Sequence, residues 1–183
     1  MKRGTSQDDR RVFEELFHRQ ADRLHRMSFL FLHDRSAAED AVQETFARGL
    51  GKFHSFREDA RPDVWLYSIA LNVCRQHLRN AKVREGRAAT EQLEGGRHPG
   101  RQERGPLTSL LRRETALCLA IALGFLTDLQ REAFVLHYME ELPYEAVAPM
   151  LGVSRVACRG LAHRARKTLL AKLPPNLSMP FGS

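Results

Sequence analysis

One polar stretch divides the sequence into two blocks that can each form a hydrophobic core. Residues 82–106 are rich in Gly, Arg, Glu and Gln and contain almost no large apolar side chain. Such a composition cannot bury enough apolar surface to offset the loss of chain entropy, so a flexible linker is predicted there. Residues 1–81 and 107–173 carry apolar residues at helical spacing without the sustained alternation of a strand. The fold class is therefore predicted to be all-α, with two small helical modules.

The charge of the chain is positive and unevenly distributed. Its 29 Lys and Arg against 22 Asp and Glu give a net charge of +7, and no acidic residue follows Glu145. This asymmetry predicts a surface that faces nucleic acid or an anionic membrane. No apolar run approaches the roughly 18 residues of a membrane span, and residues 1–11 lack a signal peptide's apolar core. We expect a cytoplasmic protein that does not insert into membranes.

Enzyme motifs are missing from the sequence. Its three cysteines, Cys74, Cys118 and Cys158, form no CxxC pair and are predicted to be buried thiols in a reducing compartment. Its eight histidines form no HExxH motif, and the chain has no GxGxxG sequence or P-loop. No catalytic residue, metal ligand or cofactor is expected.

The first module is predicted to contain three helices. The first is indicated by apolar residues at spacings of three and four from Phe13 to Leu32. A capping-box pattern from Ser36 to Glu39 predicts the start of the second. Asp63 is predicted to be the N-cap of the third.

The second module contains a helix-turn-helix pattern at residues 144–167. A capping box at residues 127–130 predicts a helix that continues to Tyr138. In the pattern that follows, Gly152 would lie in the turn and Ser154 would cap the second helix. Pro149 predicts a kink or an early end of the first helix, and Gly160 should cost the second about 1 kcal/mol.

The second helix of this pair is strongly basic. Such a helix suits the DNA major groove, where Arg contacts phosphates or guanine edges. An ordinary helical hairpin with a solvated basic face is the alternative. The predicted DNA-contacting residues are Ser154, Arg155, Arg159, His163, Arg164, Arg166 and Lys167.

Together the two modules resemble bacterial RNA polymerase sigma factors of the extracytoplasmic-function (ECF) type of the sigma-70 family. The resemblance rests on AEDAVQETF at residues 38–46, WLYSIALN at 65–72, the linker, and the helix-turn-helix ending in HRARK at 163–167. It implies a non-catalytic bacterial protein that binds core RNA polymerase and directs promoter-specific initiation. Such a protein would be nucleoid-associated when bound to polymerase.

The resemblance also implies roles for individual residues. On the second helix, the residues expected to dock on the β′ clamp helices of the polymerase core are Asp40, Gln43, Glu44 and Phe46. Recognition and melting of the −10 element would fall to aromatic and polar residues that suit single-stranded DNA, namely Phe56, Arg57, Arg61, Trp65, Tyr67, Asn72, Arg75 and Arg79. The helix-turn-helix would bind the −35 element, while residues 129–138 would meet the β flap. Trp65 and Tyr67 could instead belong mainly to the core.

Two other functions are open at this stage. Residues 156–162 read VACRGLA where the family has a GTVKSRL-like run, which predicts an unusual promoter or reliance on a helper. A sigma-like decoy would bind an anti-sigma factor without recognising promoters, and an anti-sigma factor is also a conceivable partner of a working sigma factor. A helix-turn-helix repressor would predict a dimer and a palindromic site. The tail at residues 174–183 contains three prolines and is predicted to be disordered.

Overall fold

The computed structural model describes residues 7–53, 56, 61–91, 119 and 121–172. The chain divides into two compact units, Met1–Arg101 and Gln102–Ser183. Within the described ranges all regular secondary structure is helical. The prediction of an all-α fold with two helical modules is thus confirmed. The expectations for residues 92–118, including Cys118, and for the tail at 174–183 lie outside the described residues.

Unit 1 consists of three helices that pack against one another. Helix α1 spans Gln7–Leu32, α2 spans Arg35–Lys52 and α3 spans Pro62–Glu91. Their shared core contains a group of aromatic rings around Phe13, which is fully buried. The ring centroid of Phe13 lies 5.3 to 6.3 Å from those of four neighbours: Phe17, Phe46, Phe53 and Trp65. A Cβ atom on Gly49 would lie 2.6 Å from Cζ of Phe13, so glycine is what lets α2 approach this ring.

Helix α2 begins earlier than the capping box predicts. Asp34 is the N-cap, and its Oδ1 accepts a hydrogen bond from the Ala37 amide at 2.7 Å. Ser36 lies within the first turn, and Glu39 forms an ion pair with Arg35 at 3.1 Å. The predicted box is therefore wrong. A carboxylate caps as well as a hydroxyl, and Asp34 has the extended backbone that an N-cap requires.

The start of α3 also differs from the prediction. The helix begins at Pro62, and the Trp65 amide donates to the Arg61 carbonyl at 3.1 Å, which makes Arg61 the N-cap residue. Proline suits the first helical position because its missing N–H needs no partner there. Asp63 lies in the first turn instead of capping it. Burial raises the pKa of Asp63, but hydrogen bonds from the Arg61 guanidinium and from backbone amides outweigh this effect and lower the pKa below its ordinary value.

Helix α3 continues to Glu91, so the predicted boundary at residue 81 lies inside a helix. The polar composition of this segment excludes burial, and the side chains of residues 79–84 are indeed exposed. It does not exclude helix formation, because Lys, Arg, Glu and Ala have high helix propensities.

Unit 2 contains the predicted helix-turn-helix. Helix α4 spans Asp128–Phe134 and leads into a π-helical turn, Val135–Met139, followed by α5 (Tyr144–Leu151) and α6 (Arg155–Lys172). The capping box that opens α4 is confirmed, with reciprocal hydrogen bonds between Thr127 and Gln130. The predicted helix through Tyr138 does not stay α-helical, because the Glu140 amide bonds to the Val135 carbonyl five residues back, at 3.0 Å.

The turn between α5 and α6 has the predicted chemistry. Gly152 has a φ of 68°, a left-handed conformation that glycine adopts without strain. Ser154 caps α6, since its Oγ accepts from the Ala157 amide at 3.2 Å. Pro149 does not end α5, which continues to Leu151. Pro149 has no N–H to donate to the carbonyl of Glu145, which lies four residues earlier in the first turn of the helix. Proline is tolerated at this position because Glu145 and Pro149 are both exposed.

Two of the three cysteines lie within the described residues. Cys74 and Cys158 are buried thiols, as predicted, and burial raises the pKa of the Cys158 thiol. No described helix combines the length and apolarity needed to span a membrane.

Candidate functional site

The exposed side of α6 is the most basic surface in the described part of unit 2. The opposite side packs inward through small and apolar residues: Cys158, Ala162, Ala165 and Leu169. That packing leaves one row of cationic or ionisable side chains in solvent. We call it the basic face of α6, and it comprises Arg155, Arg159, His163, Arg164 and Lys167.

Three of the predicted DNA-contacting residues also make contacts within unit 2. The Arg166 guanidinium lies 5.8 Å from the ring centroid of Tyr138 and is only half-exposed. Arg166 therefore helps to hold α6 on the π-helical turn and is not part of the exposed row. Ser154 is occupied as the helix cap. Arg155 is exposed but forms an ion pair with Glu145 of α5 at 3.0 Å.

Beneath Arg166, the π-helical turn presents a compact stack of rings. His137 stacks on Tyr144 with centroids 3.7 Å apart, and its Nδ1 is 2.9 Å from the Leu142 carbonyl oxygen. Burial and the neighbouring Tyr138 raise the pKa of Tyr144 to about 12. Tyr144 thus stays uncharged, and the stack supports the π-helical turn on which Arg166 of α6 packs. The stack is not evident from the sequence, because nothing in VLHYM distinguishes a π-helical turn from an α-helix.

The basic face also contains an apolar element that the sequence pattern did not predict. Val156, in the first turn of α6, is 80% exposed. One turn further on, Gly160 has no side chain, and the Arg164 guanidinium lies over it: a Cβ atom at Gly160 would be 3.4 Å from Nη1 of Arg164. The first turns of α6 therefore present an aliphatic side chain beside a shallow, charged surface.

In unit 1 the predicted polymerase-docking residues lie on two sides of α2. Asp40 and Gln43 are exposed. Phe46 is half-buried, with its ring edge against Phe17 of α1 at a centroid distance of 4.8 Å. An open cavity of about 530 Å³ lies between α1 and α2. It is lined by Glu14, Phe17, His18, Val42, Gln43 and Phe46. The contribution of α1 is not evident from the sequence, because the apolar spacing within each helix does not show which residues of two helices border the same cavity.

Glu44 points the other way, towards α3. Its carboxylate is 3.0 Å from Nε2 of His77 and also accepts a hydrogen bond from Arg48. Arg48 in turn donates to Gln76 at 2.6 Å. Burial raises the pKa of Glu44, but the hydrogen bonds from His77 and Arg48 outweigh this effect and lower the pKa below its ordinary value. Glu44 is therefore engaged in the α2–α3 contact and is not presented together with Asp40.

Replacing Glu44 by glutamine should make unit 1 less stable in a pH-dependent way. Because the folded-state pKa is lowered, the carboxylate stabilises the fold above its unfolded pKa of about 4.3 and loses that effect as the pH falls through the folded value. We expect a loss of about 0.5–1 kcal/mol at pH 7 in this partly exposed pair, and a progressively smaller loss as the pH is lowered. Urea denaturation followed by Trp65 fluorescence at a series of pH values from 7 downwards measures it. An equal loss at every pH would contradict an ionic role.

The predicted −10 residues divide into exposed and buried groups. Asn72 and Arg79 are exposed on α3, and Arg75 is half-exposed. Tyr67 is only 1% exposed, so its ring belongs to the core, which is the alternative that the sequence left open for it. It is buried because its position in α3 faces α1, where its hydroxyl lies 3.5 Å from Oε1 of Gln20.

Trp65 and Phe56 lie at the edge of the aromatic core. Both are half-buried, with ring centroids 5.2 Å apart, and Phe56 stacks on Phe53 at 5.6 Å. Arg61 is exposed and forms an ion pair with Asp63 at 2.6 Å. Arg57 lies outside the described residues. Among the described residues no group of His, Cys, Asp and Glu could hold a metal ion.

Both units match family models. Residues 16–84 match sigma-70 region 2, and residues 117–169 match sigma-70 region 4. The ECF RNA polymerase sigma factor SigM of Mycobacterium tuberculosis is 34% identical over 88% of this chain and 76% of its own length. The RNA polymerase sigma-H factor of Pseudomonas aeruginosa is 28% identical over 92% and 90%. BldN of Streptomyces coelicolor, an ECF RNA polymerase sigma factor, is 28% identical over 89% of this chain, which spans 61% of that relative.

Solved structures show the same fold. The sigma factor RpoE of Bartonella quintana, in complex with the anti-sigma factor NepR, superposes with a TM-score of 0.70 at 22% identity, covering 90% of this chain and 98% of that one. CnrH, in complex with the cytosolic domain of CnrY, gives 0.66 at 25% identity over 88% and 86%. With both region models in order and relatives that match nearly the whole chain, the protein belongs to the ECF group of the sigma-70 family.

Proposed function

We propose that this chain binds core RNA polymerase and directs promoter-specific initiation of transcription, itself performing no catalysis. In this proposal the basic face of α6 binds the −35 element, α3 recognises and melts the −10 element, and the α1–α2 surface docks on the polymerase. The observation that carries the proposal is the basic face itself, presented by the second helix of a helix-turn-helix. The two family models support the order of the functions along the chain.

At the −35 element, the basic face would combine phosphate contacts with insertion into the major groove. Arg159, Arg164 and Lys167 are exposed on the side of α6 that is not packed into the unit. Cations in this arrangement neutralise phosphates and release counterions, and Arg can also bind guanine edges. Arg166 and Ser154 would act indirectly, by holding and capping the helix.

At the −10 element, exposed polar groups on α3 would follow the separated strand. Asn72 and Arg79 are available for this, and the half-buried rings of Phe56 and Trp65 lie near the start of the same helix. Bases removed from a duplex gain stacking energy on such rings, and arginines contact the backbone.

The α1–α2 cavity supports the proposed docking on core polymerase, in which it would receive a helix of the β′ clamp. Apolar walls from Phe17, Val42 and Phe46 can accept an apolar side chain of the partner, while Gln43 at the rim and the neighbouring Asp40 provide polar and acidic contacts. Buried apolar anchors surrounded by a polar rim are typical of protein interfaces. A second contact, between residues 129–138 and the β flap, is part of the proposal; Leu129 is 40% exposed there.

We extend the proposal to a regulatory protein partner. CnrH, which shares 25% identity, was solved with the cytosolic domain of CnrY. An anti-sigma factor of this chain would compete with the polymerase. Adding such a partner, once identified, should abolish promoter-dependent transcription.

The test of the function is run-off transcription with purified bacterial core polymerase, this protein and a pool of genomic promoter fragments, with sequencing of the transcript starts. We expect defined starts that share a −35 and a −10 sequence. Core binding without transcripts would favour a decoy that only captures an anti-sigma factor. Absence of core binding, together with dimeric binding to a palindromic site, would favour a repressor.

Replacing Arg164 by alanine should weaken promoter binding and reduce its salt dependence. A lost phosphate contact lowers the slope of log K against log salt concentration by about one. Binding of the holoenzyme to promoter DNA can be measured by fluorescence anisotropy between about 50 and 200 mM salt, because affinities that depend on phosphate contacts change strongly over this range. Arg26→Ala, which removes an exposed arginine from α1, is the matched control and should leave the slope unchanged. Equal slopes in wild type and Arg164→Ala would exclude Arg164 from the phosphate contacts.

A further inference from the structure

Val156 is an aliphatic side chain held in solvent in the middle of a cationic surface. It is 80% exposed in the first turn of α6, with Arg155 beside it and Arg159 on the same exposed side. Its branched side chain is less favourable in a helix than alanine, and at this exposure it adds little to the packing of unit 2. The fold therefore gives no reason for valine at this position.

The surface next to Val156 is unusually low. Residues four apart lie on the same side of a helix, and the residue four positions after Val156 is Gly160. The Arg164 guanidinium extends over that glycine, with Nη1 only 3.4 Å from where its Cβ would be. A side chain at 160 would contact this guanidinium. Val156 thus projects beside a surface that the Arg164 guanidinium covers, so a base-pair edge at Val156 would also meet a positive charge one turn away.

In the major groove only one base offers a group that an aliphatic side chain can recognise. Adenine, guanine and cytosine present hydrogen-bond donors and acceptors there, whereas thymine also presents its C5-methyl group. Valine has no donor or acceptor, so its discrimination between bases must come from apolar contact or steric exclusion. The arginines around it account for phosphate and guanine contacts but not for reading a methyl group.

We propose that Val156 determines specificity at the −35 element by packing on the C5-methyl group of a thymine. Gly160 leaves room for the Arg164 guanidinium, which lies over that glycine and would contact the adjacent DNA. The inference rests on the proposed binding of α6 to the −35 element and adds to it one residue and one base.

The experiment uses holoenzyme assembled from core polymerase and the full chain. The probe is the promoter fragment that gives the most transcripts in the run-off pool, with each thymine of its −35 element replaced in turn by deoxyuridine, which lacks only the methyl group. One substitution should raise Kd about fourfold, as expected for the loss of one buried methyl-sized group. For Val156→Ala, Kd should rise by a similar factor on the thymine probe, and the difference between thymine and uracil should disappear.

Two controls separate this result from general damage. Val12→Ala removes the same two methyl groups from a valine that is 56% exposed on α1, and it should keep the full uracil effect. Far-UV circular dichroism should show unchanged helix content for Val156→Ala, since alanine favours helices.

The outcomes distinguish this inference from the function on which it rests. The inference is overturned if uracil has no effect on wild-type binding at any position, or if the Val156→Ala variant retains the uracil effect. In either case the proposed function still stands as long as the wild type supports promoter-dependent transcription. If the wild type shows neither promoter-dependent transcription nor promoter binding, both the inference and the proposed function are overturned.

Discussion

Replacing Phe13 by alanine should lower the unfolding free energy of unit 1 by about 3–5 kcal/mol, the range for truncating a buried phenylalanine. Phe13 is fully buried, and its ring contacts four other aromatic rings. One of these rings is on α1, one is on α2, one belongs to the residue directly after α2, and one is on α3. Its removal would leave a cavity bounded by rigid rings that cannot collapse to fill it. A small domain has about 5–15 kcal/mol in total, so this variant should be close to the limit of folding.

The chain provides its own probe for this measurement. Trp65 is the only tryptophan, and its ring lies 6.3 Å from that of Phe13, so its fluorescence during denaturation reports on unit 1. Val12→Ala is the control, because Val12 is the adjacent residue and is 56% exposed; it should change the unfolding free energy by less than about 0.5 kcal/mol. A Phe13→Ala variant that loses under about 1 kcal/mol would contradict a central role for this ring.

The sequence predicted the fold class and the two modules because both depend on the spacing of apolar residues. The helix-turn-helix was predicted in detail, since Gly152 and Ser154 act locally: the first adopts a left-handed turn and the second caps the next helix. The N-caps of α2 and α3 were mispredicted, because several nearby polar residues can cap and only the path of the chain decides among them. The end of α3 was mispredicted because a polar segment can still be helical without being buried.

The candidate site was less predictable than the fold. Tyr67 and Phe46 are both aromatic residues to which the resemblance assigned a binding role, yet Tyr67 is buried and Phe46 borders an open cavity. Arg166 was indistinguishable from Arg164 in sequence, but it packs on Tyr138, which depends on the π-helical turn. Such differences arise from contacts between elements, and these are not encoded in the periodicity of any one element.

Those contacts also change how polymerase docking should be tested. The resemblance placed Asp40 and Glu44 together as docking residues, but Glu44 is hydrogen-bonded to His77 and Arg48. Reversing the charge of Glu44 would disturb the α2–α3 contact, and any loss of binding could then arise from damage to the fold. Asp40 is exposed, which makes it the residue at which docking and folding can be separated.

Replacing Asp40 by lysine should weaken binding to core polymerase by about tenfold or more while leaving the unfolding of unit 1 unchanged. An acidic residue beside an apolar cavity suits a basic partner surface, and a like charge placed against such a surface is strongly unfavourable. Biolayer interferometry with immobilised core polymerase measures the affinity, and Trp65 fluorescence during denaturation measures stability. Asp22→Lys makes the same change at an exposed position of α1 and should bind like the wild type. Equal affinities for the two variants would place the docking surface elsewhere on the chain.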